Sequence, residues 1–235
     1  MPVASVNLRR YRVVRAVVFV GLTLVVLGGF LIDFPRVDNI LAQTARNLFF
    51  HVPMWFTLMA ASGVSAWHAF QYLRTGDIAR DVRSREAARL LLLFGTLGLV
   101  TGMIWARFTW YQGTGKWWNN DPKQAMAAVT MLIYVAYFIL RTAFDGERIR
   151  ARIGAAYNLF AFATVPFLLY VLPRQMASLH PGAEGNPAFS EITHPLMRLV
   201  LYPSFFLFIA LFWVLYTQRV RLVFAERRLD PPSAL

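Results

Sequence analysis

The sequence predicts an all-α protein that crosses a membrane six times, with both termini on the cytoplasmic side. Three observations carry this. Of its 235 residues, 57% are hydrophobic and only 15% are charged, against about 25% charged in an ordinary soluble domain. The apolar residues gather into six runs, at 14–32, 53–73, 90–108, 125–140, 153–171 and 197–216. A helix needs roughly 20 such residues to cross the hydrocarbon core. None of the runs alternates polar with apolar residues, as a barrel strand would.

The first run follows "NLRRYRVVR". Positive residues ahead of an apolar stretch suggest a signal peptide, but the stretch has full span length and no convincing small-residue cleavage site follows. It is read as an uncleaved anchor, and Arg9-Arg10 is too weak a match for twin-arginine export. The second run opens at Pro53, which suits a first helical turn, where its missing N–H costs nothing. The fourth run is the shortest. It opens after "DPKQ", with Asp121 placed as N-cap, Pro122 in the first helical position and Gln124 where a capping box puts Glu or Gln. The sixth opens after Pro195. All 235 residues form one integral membrane domain, with polar loops at 109–124 and 174–196 on the outer side.

The net charge of +12 would suit nucleic acid, but its distribution does not. Six spans put the N-terminus, segment 74–89, segment 141–152 and the C-terminus on one side, and that side holds 17 of the 24 Lys and Arg. The positive-inside rule assigns it to the cytoplasm. "RTGDIARDVRSREAAR" and "DGERIRAR" are then cytoplasmic loops that set topology and touch lipid headgroups. The chain has no cysteine. This excludes disulfides, thiolate ligation and covalent haem attachment through Cys-x-x-Cys-His.

His51 in "NLFFHVPMWF", His180 in "MASLHPGAEGNPAF" and His194 in "EITHPLMR" fall on the outer side. His68 lies towards the other end of span two and is read as structural. Taken singly, each is most simply an interfacial residue. As a set beside helix starts at a membrane boundary, they are functional candidates. A three-histidine zinc site lacks closely spaced ligand pairs. A haem iron needs one or two axial histidines and a large aromatic surface. Trp105, Trp110, Trp117 and Trp118 supply such a surface on that side, with Phe49, Phe50, Trp55, Phe108 and Tyr111 near them. An aromatic belt accounts for single Trp and Tyr residues at an interface. It accounts less well for four of seven tryptophans within fourteen residues. Lys116, Lys123 and Arg107 flank this loop and suit the pairing of haem propionates.

"GMIWARFTW", "GKWWNNDPK", "FFHVPMWF" and "LHPG" together resemble the haem-handling cytochrome c biogenesis family with its tryptophan-rich WWD domain. Length and span number most resemble the branch of cytochrome c maturation protein C (CcmC). The likeness runs from about residue 46 to 180. It implies that His51 and His180 are the two axial haem ligands, and that Trp110, Trp117, Trp118 and Asp121 belong to the haem-binding loop. It implies non-covalent, transient haem binding at the outer face of a bacterial cytoplasmic (inner) membrane, without enzymatic activity. Delivery would be to a haem chaperone of the cytochrome c maturation protein E type, with ABC-type transporter subunits supporting release. The chain departs from the family pattern where Asn119 and Asn120 separate Trp118 from Asp121, and where "YQGTG" is inserted. Two other classes compete: a small-molecule transporter, disfavoured because the six runs hold no Asp or Glu, and a b-type electron-transfer subunit, disfavoured because five of the six lack histidine. A haem-attaching synthetase would need a longer chain.

Overall fold

The computed structural model describes residues 8–34, 42–110, 116–180 and 194–229. Six helices dominate: α1 (Leu8–Leu31), α2 (Leu48–Thr75), α3 (Ile78–Thr109), α4 (Pro122–Thr142), α5 (Glu147–Pro166) and α6 (Pro195–Leu229). All six, with their flanking turns, are long and apolar enough to cross a membrane. The fold is therefore the all-helical, multi-pass membrane architecture expected from the apolar runs. Segment 111–115, including Tyr111, and segment 181–193 of the second outer loop lie outside the described residues.

The bounds differ from the sequence reading in instructive ways. The span 74–89 is not a loop. Gly76 closes α2 in the left-handed region (φ 67°), its N–H bonding the Tyr72 carbonyl. Asp77 then starts α3 by accepting from the Ala79 N–H at 2.9 Å. Two residues make the whole connection, and "IARDVRSREAAR" is helix. α3 has 32 residues and so extends roughly 48 Å at 1.5 Å per residue. Hydrocarbon takes up only about 30 Å of that. The arginine-rich first third of α3 overhangs the apolar slab at one end of the bundle. Segment 141–152 is likewise mostly helix, with α4 ending at Thr142 and α5 starting at Glu147. The outer loops are shorter than 109–124 and 174–196. Thr109 is still helical, Pro122 already is, and Arg174 and Gln175 close a 3-10 turn.

α2 and α3 form the central hairpin, with α4, α5 and α6 packed around it and α1 lying against α6. Their close approach follows from small residues. A Cβ on Gly95 would fall 2.7 Å from Leu58 Cδ1, and one on Gly98 would fall 3.0 Å from the Trp55 ring. Buried between α2, α3 and α5, Asn158 donates to the hydroxyls of Ser65 (2.6 Å) and Ser84 (2.8 Å). Away from water, such bonds fix register because an unmet polar group there is costly.

The arginine-rich end is held by ion pairs. Arg141 grips Asp81 with both guanidinium nitrogens, at 2.6 and 2.7 Å. Glu86 is fully buried and shared by Arg85, Arg89 and Arg219. Arg227 pairs with Glu147 at 2.7 Å. The acids missing from the apolar runs are thus present in the same helices, one to three turns further out, and Asp81, Glu86 and Glu147 are each matched by arginine. At the N-terminal end of α1, Tyr11 donates to the Val214 carbonyl of α6 and lies under Arg221. The start of α1 and the end of α6 are therefore on the arginine-rich side.

Candidate functional site at the opposite end of the bundle

α2 does not begin at Pro53. A 3-10 turn over Ala42–Asn47 leads directly into Leu48, so Pro53 is inside the helix and His51 is in its first full turn. The turn is fastened to neighbours. Arg46 donates to the carbonyls of Gly29 and Ile32 at the end of α1. Asn47 donates to the Thr101 carbonyl, and Thr44 Oγ1 accepts from Trp105 Nε1 at 3.0 Å. His51 is consequently buried, 6% exposed, and faces α3.

Its ring has a defined tautomer. His51 Nδ1 lies 3.1 Å from Thr101 Oγ1. That hydroxyl also lies 2.8 Å from the Leu97 carbonyl and 3.0 Å from the Gly98 carbonyl. Carbonyls only accept, so the hydroxyl proton goes to them and the hydroxyl oxygen accepts from His51 Nδ1–H. The Nε2 lone pair is left for a ligand, as in metal sites where a partner group orients the histidine. Gly102 makes room for the ring: a Cβ there would sit 2.7 Å from His51 Cε1.

His180 reaches the same place from the far end of the chain. Pro166 carries no N–H, and regular α-helix stops there. The chain continues through a π turn (Phe167–Val171) and a 3-10 turn (Leu172–Gln175). It then folds over the start of α4. Asp121 organises this step. Its Oδ1 caps α4, accepting from the N–H groups of Lys123 (2.9 Å) and Gln124 (3.4 Å). Its Oδ2 accepts from Ser178 Oγ (2.7 Å) and the Leu179 N–H (2.8 Å). Ser178 Oγ in turn accepts from the His180 N–H at 3.1 Å. One buried carboxylate, 3% exposed, therefore joins the tryptophan-rich loop to the histidine turn.

The result is a pair of imidazoles with ring centres 6.2 Å apart and planes inclined at 32°. Tryptophans surround them edge-on. Trp55 lies 6.2 Å and Trp105 5.8 Å from His51, and Trp105 and Trp110 each lie 6.4 Å from His180. Trp117 and Trp118 stand apart. They are 52% and 37% exposed, and among the described residues no ring contact joins either to His51 or His180. The Asn119–Asn120 insertion explains their position. Asn120 adopts φ 53° and accepts from Trp118 Nε1 at 2.9 Å. Gln124 accepts from the Asn119 N–H and donates to the Trp117 carbonyl. Only half of the expected capping box forms, because Gln124 reaches back to Asn119 instead of Asp121. Among the described residues no three His, Asp or Glu side chains gather as a metal site. His194 precedes α6 and His68 lies beside Tyr216, 6.4 Å between ring centres.

The profile of the heme exporter protein C (CcmC) family matches residues 3–234. The chain belongs to that family. It is also similar to cytochrome c biogenesis protein CcsA of Cyanidium caldarium, 26% identical over 151 residues, which are 60% of this chain and 48% of that protein. The likeness to the protein of the same name from Prochlorococcus marinus strain MIT 9312 is 46% over 92 residues, 35% of this chain and 28% of the relative. That from Aethionema cordifolium is 36% identical over 76 residues, 32% and 22% respectively. The chain thus spans less than half the length of the curated relatives it matches.

Thr101, Gly102 and Ser178 act around the histidines in this CcmC-family site, beside the half-buried Trp55 and the buried Trp105. The sequence already marks Trp55 and Trp105 as aromatic surface, but its signal for Thr101, Gly102 and Ser178 is weak. Gly95, Gly98 and Gly102 lie on one stripe of α3, which marks a close helix approach without saying what approaches.

Proposed function

We propose that the chain binds haem at this end of the bundle, with His51 and His180 as the two axial ligands, and presents it for cytochrome c maturation. The observation that carries the reading is the spacing of the two rings. A metal–imidazole bond is about 2.0–2.1 Å, so two imidazoles on opposite sides of one metal have ligating nitrogens about 4 Å apart and ring centres about 6 Å apart. The observed 6.2 Å fits that requirement. The aromatic surroundings fit too, since a porphyrin is a large apolar ring. Family membership and the names of the relatives agree with the reading.

Each residue then has a physical task. Thr101 holds the His51 tautomer, and Asp121 and Ser178 hold the His180 turn. Trp55, Trp105 and Trp110 exclude water around the imidazoles. Trp117 and Trp118, being exposed, offer flat faces at the rim, where Lys116, Lys123 and Arg107 suit propionates. His51 and His180 would hold the haem iron, and in this reading the chain acts as a carrier and not as an enzyme. His180 sits on a turn and not on a helix, which suits a ligand that must let go. Non-covalent, transient binding and transfer to a haem chaperone of the cytochrome c maturation protein E type follow from this. ABC-type transporter subunits are the partners for release, and the bacterial cytoplasmic membrane is the location, with the histidine end outward by the positive-inside rule.

The test is the visible spectrum of protein purified from haem-supplied cells. A Soret band is expected in the intact chain and in His68→Ala. It should be lost in His51→Ala and in His180→Ala. No haem in the intact protein would reject the reading, and an unchanged spectrum in both single variants would reject the ligand pair. Thr101→Val, nearly isosteric, is expected to weaken haem retention about 10- to 100-fold, the usual cost of removing a group that orients a ligating histidine. Haem titration of the apo-protein measures it.

A further inference from the structure

The arginine-rich end carries a cavity that haem handling does not use. It has a volume of about 210 Å³ and lies between the ends of α3, α4, α5 and α6. That is below the roughly 300–1,000 Å³ of pockets for drug-sized ligands, and suits a small anionic group better than a macrocycle. Five arginines line it: Arg85, Arg89, Arg141, Arg150 and Arg227. Asp81 and Glu147 are the acids in the lining.

The acids do not balance the cations. Asp81 is taken by Arg141, and Glu147 by Arg227. Arg85 and Arg89 share the one buried carboxylate of Glu86 with Arg219. Arg150 is exposed, and among the described residues no carboxylate lies within 4.0 Å of it. Six arginines therefore face three acids. Guanidinium groups crowded around a concave, partly desolvated space repel one another, and a bound anion would relieve that repulsion. Their planar forks match phosphate oxygens two at a time. The depth is also telling. α4 ends at Thr142, one residue past Arg141, while Arg85 and Arg89 sit in the overhang of α3 and Arg227 in that of α6. These positions lie at headgroup level, where basic pockets between spans take anionic lipid headgroups. Phe138 and Thr142 complete the lining.

We propose that this cavity is a binding site for a phosphate-bearing anion, supplied by the headgroup of an anionic phospholipid or by a soluble phosphate compound. It is independent of the haem reading. Native mass spectrometry of the detergent-purified protein with phosphatidylglycerol and with phosphatidylcholine tests the lipid source. Thermal midpoints with and without inorganic phosphate test the soluble one. Phosphatidylglycerol is expected to bind more tightly than phosphatidylcholine. Arg150→Gln should reduce that binding about fivefold, the effect of one basic residue at a membrane surface. Arg174→Gln, at the other end, should leave it unchanged. Stabilisation by inorganic phosphate that Arg150→Gln removes, without lipid preference, would support the site and assign it to a soluble ligand. Neither lipid preference nor phosphate stabilisation, or equal losses in the two variants, would overturn the proposal. Arg150 is exposed and has no ion pair among the described residues, so its replacement leaves the fold intact.

Discussion

Asp121→Ala is expected to lose haem as fully as His180→Ala, although Asp121 touches neither imidazole. The substitution removes two things at once. The α4 cap goes, which costs about 0.5–2 kcal/mol. So do the two bonds from Oδ2 to Ser178 and Leu179, which hold the turn that delivers His180. A ligand displaced by even 1 Å is ineffective. Asp121→Asn separates the two contributions. One oxygen can still cap α4, but the amide cannot accept both the Ser178 hydroxyl and the Leu179 N–H. Its thermal midpoint should remain near that of the wild type while haem retention falls. In both variants, and in His180→Ala, added imidazole should restore much of the Soret band by supplying the missing ligand, whereas it should do so poorly if the fold had collapsed. A wild-type spectrum in Asp121→Ala would show that the turn is held by something else.

Asp81→Ala is expected to have the largest effect on stability, about 3–5 kcal/mol, because it strands a guanidinium whose side chain is only 10% exposed. Replacing both partners, as in Asp81→Leu with Arg141→Met, should recover most of the loss, since a buried pair is often no better than well-packed apolar residues. Denaturant unfolding in detergent gives the comparison. Where the single variant still folds, its haem spectrum should match the wild type, because the pair lies at the opposite end of the spans. A loss below 1 kcal/mol would mean that water reaches Arg141.

Much of this architecture was legible in the chain. Apolar runs of membrane-spanning length leave few alternatives, and "DPKQ" announced the start of α4 down to the residue that caps it. What misled was the overhang. Segment 74–89 is as polar as a loop, yet Gly76–Asp77 is its only break, and its arginines and acids recur at helical spacing. Counting charge alone made it a connection. Pro53 misled differently: it marks a helix start only when no helix precedes it, and the turn at Ala42–Asn47 extends α2 backwards. The site was half visible. His51 and His180 stood out beside helix and turn signals, but nothing local shows two side chains 129 positions apart meeting. Nor can a sequence show that one oxygen of Asp121 caps a helix while the other holds a distant turn, or that an Asn–Asn insertion leaves Trp117 and Trp118 at the surface.

The two poles of the bundle are fastened by different means. Ion pairs clamp α3 to α4 and to α6, and α5 to α6, at one pole. At the other, hydrogen bonds to Asp121 from Ser178 and the Leu179 N–H help to tether the segment that carries His180. Thermal breathing concentrates where the tethers are fewest. In the proposed reading, the cup can loosen its rim while its base stays shut, so that cargo would leave on the side where it was held without opening a leak through the membrane.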